Sequence, residues 1–249
     1  MDPDTSIGGH RDRFPETRRS ALIDIQSDVA SLRDGAREAF IAAYWKPIYK
    51  YIRIRWKQSN EDAKDLTQAF FARALEKEFF AAYDPARAGF RTYLRTCLDG
   101  FVSNEQKCDR RLKRGGDALF VSLDFETADG EIRQHQIPSG QSPEEYFHQE
   151  WVRGIFAIAV DALRRECDER GKLTAFRLFE RYDLEPHSDE TPRYDDLARE
   201  FEIAATTVTN HLAAMRRRFR QIVLETLREN TVGENEFRTE ARAVLGIEA

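Results

Sequence analysis

The stretch YDDLAREFEIAATTVTNHLAAMRRRFRQI, residues 194–222, decides how the rest of the chain is read. In its second half Val208, Leu212, Met215, Phe219 and Ile222 recur at spacings of four, three, four and three, an apolar stripe at helical period. The other face offers Thr206, Thr207, Thr209 and Asn210, then Arg216, Arg217, Arg218 and Arg220, with no acid between Ala204 and Ile222. In the first half Leu197, Ala198 and Phe201 supply an apposing face, and Ile203 is placed to plug the turn. A helix-turn-helix needs this arrangement: one helix braces while the amino end of the second enters the major groove, with small polar side chains at base edges and cations on phosphates. An amphipathic hairpin with a solvated basic face is the bland description of the same residues. Glu202 occupies the turn where many such motifs carry glycine, a departure from the pattern.

The 249 residues are 33% charged and 41% hydrophobic, which suits a helix-rich protein with a real core. No apolar run approaches the ~20 residues of a membrane span, and the charged amino terminus lacks a signal-peptide core, so a cytoplasmic protein without membrane contact is expected. Cys97, Cys108 and Cys167 lack CxxC spacing and are expected as three reduced thiols. His10, His135, His148, His187 and His211 show no metal-ligand spacing, and neither a phosphate-binding glycine loop nor a nucleophile motif occurs. The expectation is therefore a protein that is not an enzyme and carries no cofactor. A net charge of −5 hides an uneven distribution: Lys107 to Arg114 holds five bases and one acid, whereas Asp117 to Glu150 holds eight acids and one base.

Taken in order, residues 1–18 are polar and aperiodic, a flexible lead-in. From Ala21 to about Trp56 the pattern is helical and aromatic, with Pro47 expected at a kink or helix junction. Ser59, Asn60, Glu61 and Asp62 form a helix start with an acid placed for a capping box. The helix that follows, DAKDLTQAFFARALEK at 62–77, is read with Ala63, Leu66, Phe70, Ala74 and Leu75 inward and Asp62, Lys64, Asp65, Thr67, Gln68 and Arg73 outward. After Asp84 and Pro85 comes GFRTYLRTCLDGFVSNEQKCDRRLKR, 89–114, where Phe90, Tyr93, Leu94, Leu98, Phe101 and Val102 are interleaved with Arg91, Arg95 and Asn104. Such a mixture is either core or a surface that stacks unpaired bases and holds their phosphates. Residues 115–142 read as an acidic linker, 143–230 as a second helical domain and 231–249 as an acidic tail.

These pieces together resemble bacterial RNA polymerase sigma factors of the extracytoplasmic-function type. The resemblance rests on DAKDLTQAFF and FRTYLRTCLDGFVSNEQ in the first domain and the helix-turn-helix in the second, and it spans about Phe14 to Asn230. It implies an all-α protein of two small helical domains joined by a flexible acidic linker, a region-2-like domain at 19–114 and a region-4-like domain at 143–230. Core polymerase would be the partner, bound through the β′ clamp helices and the β flap, with Asp62, Asp65 and Gln68 as docking contacts. Promoter DNA would be the other partner. The resemblance gives Arg91, Tyr93, Asn104, Lys107, Arg110 and Arg111 to the −10 element. It gives Thr206, Thr207, Thr209 and Asn210 to bases or backbone of the −35 element, and Arg216, Arg217 and Arg220 to its phosphates.

Where the family writes a dense acidic cluster, this chain has Lys64 and Ala69 in place of two acids, which weakens docking on a basic clamp. Thr67 lies in that segment, and a phosphate there would restore about −1.5 to −2 of charge. As in sigma factors thought to be switched on by a Ser/Thr kinase, Thr67 is expected to be a phosphorylation site gating docking; an anti-sigma protein is a further candidate partner. The rival expectation is a helix-turn-helix regulator that never touches polymerase.

Overall fold

The computed structural model describes residues 21–25, 27–108, 123–134, 141–185 and 192–246, and every regular element among them is helical. In chain order these are α1 (Ala21–Asp24), α2 (Ala30–Arg55), α3 (Asn60–Ala74), α4 (Lys77–Ala81), α5 (Phe90–Cys108), α6 (Phe125–Gln134) and α7 (Pro143–Glu169). Then follow α8 (Leu173–Phe179), which runs into a π-helical turn (Glu180–Leu184), α9 (Tyr194–Glu200), α10 (Ala205–Glu229) and α11 (Glu234–Leu245). None of the described helices is long and apolar enough to cross a membrane. The chain divides into two compact units, one comprising residues 17–155 and 227–249, the other containing 156–226. The division falls inside α7 and near the end of α10, not at 143 and 230, and the segment after 230 belongs with the first unit.

The first unit is organised around α2, which buries Phe40, Tyr44, Ile48, Tyr49, Tyr51 and Ile52. Pro47 neither kinks nor divides it: the helix is continuous from 30 to 55 with the proline buried inside. Proline has no N–H to offer the Ala43 carbonyl four residues back. Gly154 on α7 lies against that carbonyl, where an added Cβ would stand 3.6 Å from it. Around α2 the aromatic rings of α3, α4 and α5 meet mostly edge to face: Phe40 has Phe71, Phe80 and Phe90 at 5.5, 5.6 and 6.1 Å, and Phe70 has Phe79 and Phe101 at 6.0 and 5.6 Å. The helix start expected at Ser59 is present, since Ser59 Oγ accepts the Asp62 N–H at 3.1 Å and donates to Asp62 Oδ2 at 2.7 Å.

The connector is not structureless over its described part. Residues 125–134 form α6, which docks on α2: Phe125 packs its ring on Trp45 and Tyr49, and Ala128 is fully buried. Two of the acids that made this segment look like a solvated linker, Asp129 and Glu131, are spent on α2, while Asp124 and Glu126 stay exposed. Asp129 accepts from Arg53 at 2.8 Å and from the Tyr49 hydroxyl at 3.1 Å, and Glu131 accepts from Lys46 and Lys50, each at 2.6 Å. Burial, then the neighbouring Asp129 charge, push the Tyr49 phenol up to about 12, so it stays a neutral donor.

In the second unit the core is drawn from the latter half of α7, α8, α9 and α10, with Leu163, Phe176, Phe179, Leu197, Val208 and Leu212 buried. Phe219 lies 5.8 Å from Phe156 and 5.4 Å from Phe179 between ring centroids. Cys167 is buried beside Met215, Sγ to Sδ 3.6 Å, and behaves as a small hydrophobe.

Candidate nucleic-acid interface

The helix-turn-helix is assembled from local chemistry. α9 ends in a Schellman turn, the Ile203 N–H reaching Ala198 O at 3.0 Å and the Glu202 N–H reaching Arg199 O at 3.4 Å. Such a turn needs a left-handed residue at its bend, and Glu202 supplies it with φ 54°. The departure from glycine seen in the sequence therefore stands at the one position where glycine would relax the backbone. Glu202→Gly should raise the stability of this unit by roughly 0.5–1 kcal/mol, since relief of left-handed strain exceeds glycine's entropy cost. Thermal melting checks this; a lower melting temperature would mean that the Glu202 side chain itself holds the turn.

At 3.6 residues per turn, Thr206, Thr209, Asn210, Ala213, Arg217 and Arg220 share a sector of about 100° on α10, opposite Val208, Leu212, Met215 and Ile222. Thr206, Thr209, Asn210 and Arg217 are exposed, and the second set is buried. Thr207 and Arg220 are half-buried. Arg216 and Arg218 fall on the flanks and are committed within the unit. Arg216, expected on phosphate, holds Asp183 through Nε and Nη2 at 3.1 and 3.0 Å, with its guanidinium 5.3 Å from the Tyr182 ring centre. The π-helical turn delivers both partners. Arg218 pairs with Glu166 at 2.7 Å and Glu225 at 3.3 Å. The cation of this face that no described acid engages is Arg217, beside the polar first turns of the helix.

In the first unit the expected docking helix keeps Asp62 and Asp65 exposed and Gln68 half-buried. Lys64 is drawn to Glu61 at 3.0 Å, which offsets the cation that seemed to spoil the face. Thr67 is a correction. It is fully buried, and its hydroxyl donates to Ala63 O at 2.7 Å. The inward set is Ala63, Thr67, Phe70, Phe71 and Ala74, so Thr67 sits in the middle of the packed stripe.

Along α5, Phe90, Leu94, Leu98 and Val102 are buried, while Thr92, Thr96, Gly100, Asn104 and Lys107 are exposed. Of the residues expected on the −10 element, Asn104 and Lys107 lie on this open face, and Arg110 and Arg111 lie outside the described residues. Arg91 and Tyr93 are turned to other work. The Tyr93 hydroxyl donates to Phe79 O at 2.6 Å, its ring meets Phe79 and Tyr83, and burial pushes its phenol up to about 12. Arg91 stacks over Trp151 at 4.6 Å and carries its Nη1 to 2.8 Å from Glu240 Oε2, a charge contact outside hydrogen-bond alignment. Thr92, Thr96 and Gly100 are the part of the open face that sequence reading did not single out; their shared four-residue spacing was the available signal. Compared with known proteins, the chain matches no family model, no curated protein and no solved structure.

Proposed function

We propose that the chain is a bacterial sigma factor of the extracytoplasmic-function type: a cytoplasmic, non-enzymatic protein that docks on core RNA polymerase and directs it to promoters through two DNA contacts. The observation that carries the reading is the helix-turn-helix, in which the exposed sector of α10 puts Thr206, Thr209 and Asn210 on its first turns and Arg217 two turns further on. Small polar side chains on the first turns suit base edges in a major groove, and a cation further along suits a phosphate. The exposed acids Asp62 and Asp65 on α3 support a polymerase contact, and the open face of α5 ending in Asn104 and Lys107 supports a second DNA contact. The second reading, a regulator that never meets polymerase, is favoured by one observation: Arg91, assigned by resemblance to the −10 element, is engaged by Glu240 and Trp151.

Run-off transcription with purified core polymerase separates the two. The sigma reading expects promoter-dependent transcripts only when the chain is added, and failure to copurify with core polymerase would sink it. For the helix-turn-helix, Asn210→Ala should cost about 1–3 kcal/mol at one base position on duplexes that the chain selects from a random pool. Arg217→Ala should weaken all duplexes alike and lower the salt slope by about one. Unchanged binding by both variants would remove α10 from the interface.

A further inference from the structure

The geometry points to α11 as a positioning element for α5: Glu236 caps the amino end of α5 and Glu240 fixes Arg91, so that the open face of α5 is presented to DNA only with α11 in place. This rests on the reading of that face as a DNA contact. The cap is long-range. Glu236 Oε1 accepts the Phe90 N–H at 2.5 Å across a sequence separation of 146, while Oε2 accepts the Val232 N–H at 2.7 Å and ties the same carboxylate to the approach of α11. No residue at positions 86–89 offers a side-chain oxygen to this end of α5, since they read Ala-Arg-Ala-Gly. Gly89 is what admits the carboxylate, because a Cβ there would stand 3.0 Å from Glu236 Oε1.

One turn along α11, Glu240 reaches Arg91, whose guanidinium lies on the Trp151 ring. Both acids are thus on one face of α11, at i and i+4, and meet α5 at its first two residues. The helix that carries them is itself seated. Phe237, between the two acids, is fully buried under the Arg228 guanidinium, 3.7 Å from its ring centre, and Arg228 also bonds Glu234. A helix start fixed by a carboxylate on its first N–H keeps its first turn wound, and Thr92 is on that turn and Thr96 on the next.

The test uses the full chain and four proteins: wild type, Glu236→Ala, Glu236→Gln and Gly89→Val. Two readouts are hydrogen exchange at the first-turn amides of α5 and binding of a fluorescein-labelled single-stranded oligodeoxynucleotide. Loss of a cap predicts roughly fivefold faster exchange and fivefold weaker binding for Glu236→Ala. Glu236→Gln, which keeps an acceptor oxygen, should restore most of both, and Gly89→Val, which excludes the carboxylate, should match Glu236→Ala. Wild-type exchange and binding in Glu236→Ala would overturn the inference, as would a glutamine variant as impaired as alanine. If exchange follows the prediction while the wild-type chain binds no oligonucleotide, the positioning of α5 stands and the reading of its face as a DNA contact falls.

Discussion

Thr67→Asp is expected to unfold or strongly destabilise the first unit and, on the proposed function, to lose polymerase docking rather than switch it on. Thr67 has no exposed surface, its hydroxyl is bonded to Ala63 O, and its neighbours on the stripe are Ala63, Phe70, Phe71 and Ala74. A carboxylate forced into that position replaces a hydroxyl bonded to a backbone carbonyl, and burying an unpaired charge costs several kcal/mol. At about 2–4 °C per kcal/mol for a body of this size, the melting temperature should fall by ~10 °C or more. Thr67→Val keeps the shape and removes a single hydroxyl–carbonyl bond worth about 0.5–1.5 kcal/mol, so it should melt within a few degrees of wild type. A phosphate, larger and more highly charged than a carboxylate, meets the same obstacle and enters only if α3 leaves the core. The decisive comparison is thermal melting beside core-polymerase binding for the two variants. An aspartate variant that melts like wild type and binds polymerase more tightly would restore Thr67 as a charge-operated gate.

The misplacement of Thr67 shows where sequence reading gave out. Ala63, Thr67, Phe70, Phe71 and Ala74 follow the helical repeat as well as the set built on Leu66 and Leu75 does. A threonine whose hydroxyl bonds back to the carbonyl four residues earlier presents a methyl group to the core, and composition alone counts it as polar. The pairing of α9 with α10 was legible because its determinants are local, a stripe at helical period and a basic far end, whereas the left-handed bend falls on Glu202, the residue that departs from the pattern. The roles of Arg91 and Arg216 were not legible, because Glu240 and Asp183 are brought to them by tertiary structure. The same holds for α6. Asp129 and Glu131 looked like part of a solvated connector until α2 supplied Lys46, Lys50 and Arg53 opposite them. Phe125, Ala128 and Ile132, three and four apart, were the local hint that a helix face was hidden among those acids.

Glu150→Ala is expected to be among the most damaging single substitutions in the first unit, although no acid at 150 was marked out by the sequence. Lys50 and Glu150 are both buried, and Lys50 Nζ lies 2.5 Å from Glu150 Oε2 and 2.6 Å from Glu131 Oε2. Arg153 takes the other oxygen of Glu150, and Lys46 takes the other oxygen of Glu131, so one chain of alternating charge ties α2 to α6 and α7. Removing Glu150 leaves the Lys50 ammonium buried with a single, part-exposed partner, a loss of about 3–5 kcal/mol and ~10 °C in melting temperature. Replacing the pair, Lys50→Met with Glu150→Leu, takes both charges out together and should recover most of that loss; additive losses in the double variant would show that the two do not act as a pair. The network also has a pH signature. Burial pushes the Glu131 carboxyl up, but hydrogen bonds from Lys46 and Lys50 outweigh it and hold it below its ordinary value of 4.5. A carboxyl depressed by folding contributes stability that is complete above that ordinary value and is lost as the pH falls through the lower folded one. Wild type should therefore hold this contribution at pH 5 and shed it on further acidification, whereas Glu131→Gln, lower from the start, should show a flatter melting profile below about pH 4.5. Parallel profiles for the two proteins would place the acid sensitivity elsewhere.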